Sequence, residues 1–315
     1  MHEIVLKALS MKHEQKTDKS IYNILVGKKT HQTYFDATIE HLKLYYGCLP
    51  NLKYDDFENI VEQSTNIQTQ PIIGNYFYSQ AVKTAGTLLL LIQMVSQKRH
   101  EQSTYQPLFN NKSIQLEAKK IYIAIKNQHE DDFINEVYQL FNEINNQLNH
   151  VYLHYLLAGY RETPYTLEQI ALLEDISLHS LRCHLLEEYQ FVQVCIGDEM
   201  KYPMLSRINH LPLLHQQTES TYQLLQKTQD IARLADIKRV KTHTIHDHIV
   251  EMYIKGYLTN KNLFISDEKY NHFIKAFEQM PNQSLKYYFE NTNDIDYFEL
   301  KLMYTIYAME GLNVT

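Results

Sequence analysis

Eight glycines and seven prolines are all that interrupt 315 residues. Glycine lets a backbone turn sharply and proline denies it a helical hydrogen bond. A chain with so few of either is held to long helices joined by short links. Isoleucine, leucine and tyrosine supply the apolar surface for a large core, and the length exceeds that of one ordinary domain. The expected class is therefore all-α and multi-domain.

The stretch Thr221–Gly256 gives the most specific pattern. It reads as three short amphipathic segments at helical spacing: Thr221–Lys227, Gln229–Asp236, and a third from Thr242 to about Tyr253. Ile237–Lys241 is a tight basic link that swings one helix across another, and Thr242 or Thr244 is the expected N-cap of the third. This is a helix-turn-helix signal. Lys238, Arg239, Lys241, Thr242 and His243 gather at the start of the third helix, where a DNA reader needs positive charge and polar tips. Trihelical units of this kind also bind proteins, and the stretch is nearly neutral, so these five residues are expected to contact DNA or a protein partner.

Elsewhere the same reasoning gives helices at Ser20–Val26, Thr33–Tyr46, Tyr54–Ser64, Asn75–Lys98, Ser113–Asn127 and Phe133–Leu148. A basic turn at Lys28, Lys29 and His31 separates the first two and is a second candidate contact. Thr166 opens a helix with Gln169 in the capping-box position, and Ser177 caps the next. Phe191–Ile196 is apolar and rich in β-branched residues. Paired with Tyr202–Leu205 across Gly197–Asp198, it would form a hairpin, making the middle a candidate winged-helix unit. The face Ile295, Phe298, Leu302, Ile306 and Met309 needs a packing partner. The expected domains are residues 1–127, an N-terminal helical domain with the basic turn; 128–210, acidic and helical; and 216–315, the helix-turn-helix domain.

Charge and motifs exclude much. Residues 128–199 hold thirteen acidic side chains against two basic ones, which argues against wrapping a nucleic-acid backbone along the chain. The three cysteines are far apart and in no metal-binding spacing; they are expected to be reduced, with no structural zinc. Sixteen histidines form no HExxH; His243, His246 and His248 do not share one face, and the pair His243/His246 lacks a third ligand. The pair Glu187–Glu188 reads as a solvated face. Phosphate-loop and nucleophile-elbow motifs are absent, so no catalytic residue, cofactor or metal is expected. The most apolar run, Leu88–Val95, is far shorter than the roughly twenty residues that cross a bilayer. A cytoplasmic protein without a membrane partner is expected.

The segment Thr221–Gly256 is similar to the helicase-associated helix-turn-helix domain that ends some RecQ-type helicases and the YpbB family of Firmicutes. The matching positions are Thr221, Leu224 and Leu225, then Ile231 and Ala232, Lys238 and Arg239, and Thr244, Ile245, His248 and Ile249. The N-terminal Ile21–Gly47 resembles the same family at Ile21, Tyr22, Leu25, Gly27, Lys28, Gln32, Thr33 and Asp36. Thr228 and Gln229 stand where the family often has glycine or serine. Because the family is encoded beside a RecQ helicase, the resemblance implies a non-catalytic adaptor of that helicase, active in DNA repair, with DNA as a further partner. A sequence-selective DNA-binding transcriptional regulator is the alternative.

Overall fold

The computed structural model describes residues 2–63, 72, 74–126, 129–292 and 295–310. Ser64 and Asn127, expected as helix ends, and the expected domain boundary at 127 lie outside them. The described residues form fifteen α-helices with no strand. In order they are α1 His2–Ser10, α2 Asp18–Leu25, α3 His31–Ile39, α4 Tyr54–Gln63, α5 Tyr78–Arg99, α6 Lys112–Ile125, α7 Glu130–Leu148, α8 Leu167–Leu173, α9 Leu178–Cys195, α10 Gln216–Leu225, α11 Ile231–Lys238, α12 Thr242–Ile254, α13 Asp267–Gln279, α14 Leu285–Asn291 and α15 Tyr297–Glu310. They divide into two compact units, Tyr78–His210 and a discontinuous unit built from His2–Phe77 with Leu211–Thr315.

In the Tyr78–His210 unit, Leu88 to Leu91 of α5 are all buried, so four consecutive leucines meet neighbours on every side. The capping box at Thr166 and Gln169 and the Ser177 cap form as expected. The expected hairpin does not. α9 runs straight through Phe191–Cys195, burying Val192, Cys195 and Ile196 at helical spacing, and a short 3-10 turn occupies Leu205–Ile208. The β-branched residues there suit a strand by propensity, but a buried helical face overrides so weak a preference. Asp198 rounds the corner by accepting from the amides of Met200 and Lys201.

In the discontinuous unit α12 is the central helix, packed by α3, α10, α11 and α15. One apolar cluster joins Tyr34, Phe35 and Ile39 of α3 to Ile245, Ile249 and Met252 of α12, Phe273 and Phe277 of α13 and Leu302 and Ile306 of α15. Of the expected face, Ile295, Phe298, Leu302 and Ile306 thus find their partners within this unit. The expected helix Thr33–Tyr46 is shorter: α3 ends at Ile39, His41 turns to φ 56°, and the Leu42 amide closes the end on Ala37 O at 2.8 Å. Such a closure satisfies carbonyls left over at a helix terminus.

Candidate helix-turn-helix contact surface

The trihelical unit is α10, α11 and α12, with Leu225, Leu234, Ala235, Ile245 and Ile249 buried. Thr228 and Asp230 lead the chain into α11. Asp230 caps α11 by accepting from the Arg233 amide at 3.1 Å, and Thr228 Oγ1 accepts from the Asp230 amide. α11 stops at Arg239, whose amide still reaches Ala235 O and Asp236 O and whose positive φ of 53° turns the next amide, that of Val240, back onto Ala235 O at 3.0 Å. The N-cap of α12 is Lys241, not Thr242 or Thr244, and it makes no side-chain cap hydrogen bond.

The expected contact residues divide into two groups. Arg239, Lys241, Thr242, His243, Lys28 and Lys29 are exposed. Lys238 and His31 turn inward. Lys238 Nζ donates to Gln217 O at 2.8 Å, and burial lowers its pKa. His31 Nδ1 stands 3.3 Å from Glu251 Oε2, and its ring lies 5.4 Å from that of His248. Both act on the buried His248, so the two basic turns meet around one side chain. Tyr46 pins the backbone at Gly27 and Lys28, its hydroxyl facing both carbonyl oxygens at 3.1–3.2 Å.

Beyond its first turn α12 is enclosed. Ile245 and every residue from His248 to Ile254 are buried, His246 stacks on Phe298 at 4.1 Å, and Asp247 pairs with Lys301 at 2.8 Å. The helix therefore presents a tip rather than a face.

A polar network that periodicity did not reveal lies beneath this tip. Glu251 is 1 % exposed and accepts from the His215 amide, Thr218 Oγ1 and Lys255 Nζ at 2.6–2.8 Å. Burial pushes its carboxyl up, but His31, Lys255 and Thr218 outweigh this and hold it down at about 2. Thr221 Oγ1 is 2.7 Å from His248 Nδ1, and burial with nearby His31 and Lys238 pushes that imidazole down to about 4. At the far end of α12 the buried Lys43 donates to Ile254 O, and burial lowers its ammonium to about 8. Much of the family-like pattern is thus internal wiring: Thr221 bonds His248, and Gln32 donates to Asp36 at 2.8 Å.

This architecture defines an all-helical protein with a C-terminal helix-turn-helix domain. The helix-turn-helix domain family matches residues 217–304. The chain is 21% identical to protein YpbB of Bacillus subtilis (strain 168), in an alignment covering 96% of each. The chain is thus similar to YpbB over nearly its whole length and to the helix-turn-helix family over its C-terminal part. No solved structure matches it. A helix-turn-helix domain in a relative of YpbB supports an accessory role in contacting DNA or protein. Among the described residues no helix is long and apolar enough to cross a membrane.

Proposed function

We propose that the chain is a non-catalytic accessory protein of a RecQ-type DNA helicase, contacting the helicase, DNA or both through the corner formed by Arg239, Lys241, Thr242 and His243 with Lys28 and Lys29. The observation that carries this reading is the enclosure of α12 beyond its first turn. A helix that reads sequence needs several side chains free to reach base edges along a groove. A basic tip backed by a rigid buried network suits phosphate or acidic protein groups instead. Lys238 and His31 position the corner from beneath.

The test uses the full chain with its cognate helicase. Association that survives moderate salt, and is weakened by the paired substitution R239E/K241E, supports the adaptor reading; absence of association overturns the helicase assignment. In parallel, duplex, forked and single-stranded DNA are titrated at two salt concentrations. Four cations each meeting one phosphate give a log–log salt slope of about −3 to −4. Tight binding confined to one duplex sequence would establish the regulator instead.

A further inference from the structure

In the Tyr78–His210 unit three side chains converge that the contact surface does not use. His184 and Glu187 are one turn apart on α9, on the same face. His150 follows α7, placed by Asn149, which ends that helix in the left-handed conformation at φ 59°. His150 Nε2 lies 3.6 Å and His184 Nδ1 3.3 Å from Glu187 Oε2, and the donor atoms of all three fall within 4.8 Å of one another. Donors around a tetrahedral zinc with bonds of about 2.0–2.1 Å stand roughly 3.3–3.4 Å apart. The two distances to Glu187 are close to that edge.

The remaining ring nitrogens are engaged as a metal site requires. His150 Nδ1 is 2.9 Å from Glu188 Oε1, and Glu188 is fully buried and fixed by the amides of Tyr152 and Leu153 at 2.6 Å. His184 Nε2 is 3.4 Å from Ser180 Oγ, and the Tyr152 ring stacks on His150 at 5.0 Å. A carboxylate behind a ligating histidine sets the tautomer and strengthens the free nitrogen as a donor. With protons on His150 Nδ1 and His184 Nε2, the lone pairs of the other two nitrogens point toward the Glu187 carboxylate. In that tautomer a cation between them would satisfy all three donors; a protonated imidazole paired with Glu187 is the metal-free alternative. The pair Glu187–Glu188, expected as a solvated face, is instead one half-buried and one fully buried carboxylate, both paired with His150.

We propose that His150, His184 and Glu187 bind a divalent transition ion, zinc above all, with water in the fourth position and Glu188 as the supporting carboxylate. Two imidazoles and one carboxylate favour zinc over magnesium or calcium, which prefer oxygen donors. The ion would staple α9 to the turn after α7.

The test is titration of the chelator-stripped full chain with cobalt(II) chloride, then displacement by zinc chloride. The expected result is a visible absorption band of tetrahedral intensity saturating at one equivalent, and a zinc-dependent, magnesium-insensitive rise in Tm. H184A and E187Q, both at partly exposed side chains, should each weaken zinc binding by more than about 100-fold, beyond the upper range for losing an outer-shell partner. Circular dichroism confirms that the variants stay folded, and H184N serves if H184A does not. No tetrahedral band in the wild type, or wild-type zinc affinity in both variants, would leave a histidine–carboxylate ion pair and overturn the site.

Discussion

A carboxylate enclosed as completely as Glu251 is tolerable only while its partners are in place. Glu251→Ala strands the Lys255 ammonium, whose side chain is 4 % exposed. The expected cost is about 3–5 kcal/mol, read from the urea unfolding midpoint, and the double change E251L/K255M should recover much of it because an apolar pair needs no compensation. His248 makes a pH prediction. Its folded pKa of about 4 lies below the ordinary 6.5, so between those values the unfolded chain binds a proton that the folded one refuses. Stability should therefore fall as pH drops from about 6.5 to 4, by roughly 3 kcal/mol at most. Glu251, depressed to about 2, adds stability above its usual range that is lost only on acidification below it. His248→Gln should flatten the upper part of the curve; an unchanged urea-midpoint profile would refute the assignment. Residues with local partners were legible in the sequence, as Thr166 and Gln169 show, because a capping box is a three-residue spacing. Glu188 was not, since the groups it binds lie 35 to 38 residues away.

At the level of elements, helical periodicity located most helices and misjudged their ends. Thr242 was expected to cap α12, but the chain needs Lys241 in extended backbone to leave the left-handed Arg239. The supposed wing failed because a run such as Phe191–Ile196 fits a strand and a buried helix equally well. Gly27 illustrates a junction that no pattern exposes. Its φ is +70°, and a Cβ there would lie 2.8 Å from Gly47 Cα, so two turns distant in sequence cross backbone to backbone. Gly27→Ala should destabilise the protein by about 1–3 kcal/mol and displace Lys28 and Lys29 with it. A thermal melt matching wild type would show that the crossing can relax.

For the molecule as a whole, the all-α class followed from scarce breakers, whereas the discontinuous unit did not. Sequence reading groups residues that are neighbours along the chain, but Lys43 reaches Ile254 across 211 residues. Without α3, α12 would expose the apolar surface that Tyr34, Phe35 and Ile39 now cover. Residues 211–315 expressed alone are therefore expected to melt without cooperativity, while 78–210, with its own core, should give a cooperative helical melt by circular dichroism. A sharp transition from 211–315 would contradict this.

Synthesis on the ribosome adds a consequence of that split unit. The first seventy-seven residues emerge well before the segment that completes their core, so they must wait, partly uncovered, while 78–210 is made and can already fold. Premature release would yield chains with one finished half and one adhesive remnant, the kind of product that chaperones retain.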